Sequence, residues 1–406
     1  MPVVAIQRSR HDRSDAEIAA IVRQTIELAG GVPEKVRRAR SILVKPNYVG
    51  ANGRPSDDAV KRHAGRFLGC TEPIVTHATV AMIREANPGA EIIVSEGVDN
   101  REPRVPEDCF RAMGANRLTE EFGARLLNAN TGTLGLYDVP GGGLLHRAIH
   151  LRREVAEADA VVSVAKLKMH GTAGVTLSLK NMFGLLPRSR YGSTYRNFMH
   201  ANHYRLMRVI VDIATLRRPD LAVIDGTIAS DHGIDHTPIE AGLMLAGHDP
   251  LATDAVGIAL LGFSPRTQFP EMPFLVSENH LLLAEQVGIG TLDLDRIEVR
   301  GIAIAEARPR HTFTIQTERN VTTEESRQYI AAARSQAKVY VARREELLAA
   351  HRGRYVFLRD GEVVWSVPTL AEAADRAIKH PPPDGYGLTI QVVPEAEEIE
   401  RVAAYA

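Results

Sequence analysis

The sequence predicts an α/β protein, with a mainly parallel sheet or sheets carrying helices on both faces around a central cleft. Two observations predict it: short Val-, Ile- and Leu-rich runs bounded by turn residues recur along most of the chain, and segments with apolar residues at three- and four-residue spacing lie between them. In order, residues 3–6 read as a strand, Asp15–Leu28 as a helix, 42–44 as a strand, 76–86 as a helix and 92–94 as a strand. Strands at 160–164 and 221–224 follow, with helices at His203–Leu216 and 251–261. Past residue 305 the pattern breaks into a polar linker or arm with a helix reaching about residue 350. The last segment, 351–406, reads as a small β-β-α-β module: two strands within 355–367 around Asp360-Gly361, a strong hairpin signal, then a helix Leu370–Lys379 and a strand at 388–393. The expected organisation is an α/β core of one or two lobes over 1–305, the arm over 306–350, and the module.

Composition narrows the function classes. Hydrophobic residues make up 44% of the 406, enough for a core of domain size, and the formal charge is −1, so no overall field draws the chain to nucleic acid or an anionic membrane. Aromatic residues, at 5%, are not interleaved with basic runs, which argues further against a nucleic-acid partner. The two cysteines, Cys70 and Cys109, form no CxxC pair, so a disulfide framework, a thiolate zinc site and a four-cysteine iron-sulfur cluster are not expected. The start turns charged before any signal-peptide-like stretch, and no run approaches the roughly 18 apolar residues of a membrane helix. These features read as a cytoplasmic protein with no membrane partner. No GxGxxG, GxxxxGK[ST] or GxSxG occurs, so NAD and P-loop nucleotides are not expected.

Three constellations can carry chemistry. The first is VVSVAKLKMHGTAGVTLSLKNMFGLLP, where an apolar strand runs into Lys166, Lys168 and His170 before a glycine-bearing turn; Lys180 and Asn181 come after a helical stretch that holds Thr176, with Val175, Leu177 and Leu179 packing. Lys166 and Lys168 share a strand parity, so their ammonium groups point the same way. Strand ends and the turns after them are where open α/β sheets bind ligands, and lysines there suit an anion. The second is Lys45-Pro46-Asn47, a strand stopped by proline with a lysine at its edge, matched by Glu96 after the next strand. The third is Asp225, at the end of LAVIDGT, with Asp231, His232 and His236, a set of residue types able to ligate a divalent metal. Asp249 reads as a helix N-cap.

Taken together, Lys45-Pro46-Asn47, KLKMHGTAGVTLSLKNMFG, RPDLAVIDG, HDPLATDAV and Gly288-Ile289-Gly290 resemble the successive motifs of the unknown-function family numbered 362, over about residues 40–305. Many relatives carry an added ferredoxin-like segment with cysteine-bound clusters, which this sequence lacks. The tail resembles unknown-function family 5678. The glycine turn followed by a lysine is distantly similar to the cofactor-attaching segment of nickel-pincer lactate racemases; that resemblance implies Lys180 as anchor of a pyridinium-derived cofactor and His170 as proton acceptor, though the racemases' histidine pair in the first half is not seen.

The expected function is an enzyme acting on a small anionic or enolisable metabolite, by isomerase, lyase, ring-rearranging or cofactor-free oxidative chemistry. Lys45, Asn47, Glu96, Lys166, Thr176 and Asn181 bind the substrate, and His170, Lys180 and Lys168 carry the chemistry. Two alternatives stay open: a metal-dependent enzyme built on the Asp/His cluster, and a non-catalytic anion- or cofactor-binding protein. The sequence fixes neither a cofactor, a divalent metal being the one it suggests, nor the oligomeric state, a homo-oligomer included.

Overall fold

The computed structural model describes residues 1–48, 62–97, 106–187, 203–231, 237–317, 321–379 and 386–405. Its centre is a sheet of ten strands among these residues: β1 Val3–Arg8, β2 Ser41–Pro46, β3 Glu91–Glu96, β4 Arg125–Asn128, β5 Ala160–His170, β6 Gly174–Thr176, β7 Leu221–Asp231, β8 Thr237–Ile239, β9 Leu243–Gly247 and β10 Glu298–Gly301. The order is β10-β1-β9-β7-β5-β2-β3-β4, with β6 paired to β5 and β8 to β7. Neighbours along the main path run parallel except at β9, which opposes both β1 and β7. The expected mainly parallel α/β class is what the chain adopts.

Alternation along the strands splits the interior into two cores. Val4, Ile6, Leu43, Ile93, Val161 and Leu245 face one side, with helices α4 His203–Leu216 and α5 Pro250–Leu260, while Ala5, Ile42, Val44, Ile92, Val162, Val164 and Met244 face the other, with α1 Asp15–Leu28 and α2 Pro73–Ala86. Helix α1 begins with a capping box between Ser14 and Glu17. Helix α2 starts three residues earlier than its apolar pattern shows, because Pro73 occupies the first turn, where a missing N–H costs nothing.

Two elements depart from the sequence reading. Strands β5 and β7 run on to His170 and Asp231, well past their apolar stretches, so both carry charged residues inside the ladder. The segment after His170 is a strand and not a helix: Gly174, Val175 and Thr176 pair back onto His170, Met169 and Lys168, and only α3 Ser178–Asn181 is helical. The two-residue spacing of Val175, Leu177 and Leu179 fits an extended chain better than a helical face.

Beyond the core, the arm carries two helices, α6 Thr323–Ala342 and α7 Arg344–His351. The tail forms β11 Tyr355–Arg359, β12 Glu362–Val367, α8 Leu370–Lys379 and β13 Leu388–Gln391, a three-stranded antiparallel sheet in the order β12-β11-β13. Asp360 and Gly361 both take positive φ, as a tight hairpin requires. Among the described residues no helix is long and apolar enough to cross a membrane.

Asp254 of α5 fixes α3 against the sheet. Its buried carboxylate accepts the backbone N–H groups of Ser178 at 2.8 Å and Leu179 at 2.9 Å, two donors that a helix start leaves unpaired. Burial pushes its pKa up to about 8, against the pull of those two bonds. Asp254→Ala strands both donors and is expected to cost about 2–5 kcal/mol in urea unfolding; a change within about 0.5 kcal/mol would contradict this role.

Candidate functional site

The carboxyl edge of β2, β3, β5 and β7 gathers the first two sets of charged residues. Lys45 is 1% exposed, and its ammonium donates to Glu96 at 2.7 Å, to the Pro46 carbonyl at 2.5 Å and to Asn181 Oδ1 at 3.4 Å. Asn181 closes the arrangement by donating through Nδ2 to the Lys45 carbonyl and to Ser163 Oγ. Glu96 also accepts from the backbone N–H of Tyr48 and of Gly97. Gly184 passes so close that a Cβ there would lie 2.5 Å from Glu96 Oε1 and 2.8 Å from Lys45 Cε, so this backbone approach admits no side chain.

A second pair lies on the α1 and α2 side of the sheet. Lys166, fully buried, donates to Asp225 Oδ2 at 2.9 Å, and Asp225 also accepts from the backbone N–H of Glu72 and of Thr227, each at 2.9 Å. Lys168 has the same strand parity, as expected, but a different environment. Its ammonium donates to the Gly69 carbonyl at 2.7 Å and forms no ion pair among the described residues. Burial, with Lys166 and Lys45 opposing a further positive charge, lowers its pKa to about 8, although the side chains of Cys70 and Glu96 pull the other way.

Two polar atoms with no hydrogen-bond partner among the described residues lie beside this lysine by register. Thr176 and Ser230 sit directly across the ladder from Lys168, on its two sides, and their hydroxyl oxygens are buried and unpartnered among the described residues, as is Asn47 Oδ1. Unfilled bonding capacity of this kind marks where ligand or solvent atoms belong. On the other side, Lys180 lies 4.7 Å from the centre of the Phe183 ring. His170 accepts the backbone N–H groups of Thr172 at 3.1 Å and Ala173 at 3.0 Å on Nδ1. In a neutral ring this puts the proton on Nε2.

Of the proposed metal set, the two members among the described residues, Asp225 and Asp231, each have other partners. Asp225 is committed to Lys166 and two backbone amides, while Asp231 accepts from His311 at 2.9 Å and from Thr314. His232 and His236 lie outside the described residues. No group of three His, Cys, Asp or Glu able to hold a metal occurs among the described residues. Asp249 caps α5 through Ala252, as read.

Two residues escaped the sequence reading. Glu72, at the start of α2, is 2% exposed; it accepts from the backbone N–H of Phe67 and lies 3.6 Å from Arg66. Burial, reinforced by Asp225, pushes its carboxyl up to about 7 despite Lys166 and Arg66. The signal available was weak: a glutamate before Pro73 sits at a helix N-cap, where glutamate is an uncommon choice, and here its side chain makes no capping bond. The second is His280, wholly buried with neither ring nitrogen bonded among the described residues and its pKa lowered to about 3 by burial and then by Lys180.

The family model described as Domain of unknown function (DUF362) matches residues 42–259, which takes in every strand end of this site. The chain belongs to that family. The chain is also similar to a thylakoid-associated protein of Synechocystis sp., 25% identical over 271 residues, covering 65% of this chain and 76% of the relative. Among solved structures, a lactate racemase apoprotein from Thermoanaerobacterium thermosaccharolyticum matches with a TM-score of 0.40 and 13% identity over 64% of this chain and 56% of that one. A Thermotoga maritima protein matches with a TM-score of 0.33 and 11% identity, over 60% and 57%. The chain thus spans little more than half of each of these two structures.

Because the pKa of Glu72 rises from 4.5 to about 7 on folding, its contribution to stability is complete below pH 4.5 and is lost as pH rises through about 7. Wild type is therefore expected to lose stability relative to Glu72→Gln across this window in urea unfolding at stepped pH. A pH-independent difference would show that Glu72 ionises as it does in the unfolded chain.

Proposed function

We propose that this DUF362 protein is an enzyme that acts on a small anionic, enolisable metabolite at the carboxyl edge of its sheet. The observation that carries the reading is a contrast among buried lysines: Lys45 and Lys166 each have a carboxylate partner, whereas Lys168 has none among the described residues and donates to a backbone carbonyl. A buried cation without a counter-ion costs several kcal/mol, a cost that an anionic ligand offsets.

The roles follow from the partners. Lys45 with Glu96, and Lys166 with Asp225, are held by their pairs and shape the local potential; Asn181 braces the first of them. Lys168 and Lys180 then meet the negative charge of a carboxylate or of a forming enolate, with Asn47 and Thr176 bonding the ligand's polar atoms and the Nε2–H of His170 donating. Glu72, whose carboxyl is poised near 7, moves the proton, a role worth roughly 10²- to 10⁴-fold in rate. No cofactor or metal enters this reading.

Incubation with a mixture of 2-oxo, 2-hydroxy and dicarboxylic acids in D2O, followed by proton NMR, tests it. Solvent deuterium is expected to enter the carbon next to a carboxyl or ketone group with wild type, and to fall by at least about 10²-fold with Glu72→Gln. Exchange that matches the protein-free rate would mean that the lysine edge binds its anion without turning it over.

A further inference from the structure

We infer that Lys168 is a nucleophilic amine that forms an imine with a small 2-oxo acid. This deepens the reading above and rests on it, since the same edge must hold the substrate's carboxylate. The argument begins with the contrast among the three lysines. Lys45 and Lys166 each donate to a carboxylate, at 2.7 and 2.9 Å, which gives each a counter-ion and holds the nitrogen in place. Lys168, 3% exposed, donates to the neutral carbonyl of Gly69, a bond that an uncharged amine can still make, though more weakly than an ammonium. Burial beside Lys166 and Lys45 lowers its pKa to about 8 against the pull of Cys70 and Glu96, so a larger fraction is uncharged at neutral pH than in an exposed lysine. A free amine at neutral pH is what attack on a carbonyl requires.

The groups beside it suit the remaining steps. The amine adds to the ketone carbon, and one of its N–H protons ends on the oxygen to give a carbinolamine. That hydroxyl leaves as water, taking up a proton, while the nitrogen lone pair closes the C=N bond; no electron donor or acceptor is needed. The hydroxyls of Thr176 and Ser230, unpartnered among the described residues and directly across the ladder from Lys168, are placed by register to bond the departing oxygen. The resulting iminium weakens a C–H bond on the adjacent carbon, whose proton passes to a base such as the Glu72 carboxylate and leaves an enamine. The substrate class follows from both ends of the site: a ketone for the amine, and beside it a carboxylate for the surrounding cations.

The test treats the full-length protein with pyruvate, as the smallest 2-oxo acid with an exchangeable methyl group, and sodium cyanoborohydride, followed by intact mass and peptide mapping. One carboxyethyl group on Lys168 is expected, suppressed by excess oxalate, which carries two carboxylates and no ketone. Lys168→Met should lose the adduct, and mapping on wild type keeps the answer independent of whether that variant folds. An adduct only on other lysines, or none while oxalate still raises the melting temperature, overturns the imine and leaves the anion site standing. With neither an adduct nor any thermal shift by oxalate, both readings fail.

Discussion

Burying three ammonium groups at the ends of adjacent strands is the constraint to which the rest of this structure answers. An ion moved from water into a protein interior loses several kcal/mol of solvation even after relaxation, and recovers it only through close, well-directed partners. Lys45, Lys166 and Lys168 are each 3% exposed or less. The chain accordingly supplies Glu96 from β3 and Asp225 from β7, and satisfies each carboxylate again with backbone N–H groups, so that neither charge is left half-paired.

These partners come from elements far apart in sequence, and the remaining architecture brings them together. The loop before α2 is tied to the sheet by Thr71, which accepts the Asn47 N–H and donates to the Val164 carbonyl; that sets Gly69 over Lys168 and Glu72 beside Asp225. On the opposite face, Asp254 holds the start of α3, and the absence of a side chain at Gly184 lets the following turn close on Lys45 and Glu96. Two faces of one sheet thus converge at its edge through backbone contacts more than through side-chain packing.

Much of this was legible in the sequence because it rests on local pattern. Uninterrupted apolar runs announced buried parallel strands, Asp360-Gly361 announced its hairpin, and the equal parity of Lys166 and Lys168 followed from the two-residue repeat. What escaped depends on long-range register. Nothing local distinguishes Lys168, without a carboxylate, from Lys166, since the difference lies in which residue of β7 stands opposite: Asp225 beside Lys166, and Ser230 beside Lys168 after a register shift. Glu72 acquires its raised pKa from burial and from Asp225, more than 150 residues away, and the backbone bonds that His170 accepts arise from a hairpin that the sequence pattern misassigned.

The most direct measurement of the central claim is an NMR titration of the lysine side chains, with isotope at the ε carbon and Lys168→Arg used for assignment. The account predicts that Lys168 titrates near pH 8, well below the ordinary 10.5, and that an added anion such as oxalate raises this value by stabilising the charged form. A Lys168 that titrates at 10.5 or above, unmoved by oxalate, would mean that its charge is already compensated within the protein, and the account would be wrong at its base.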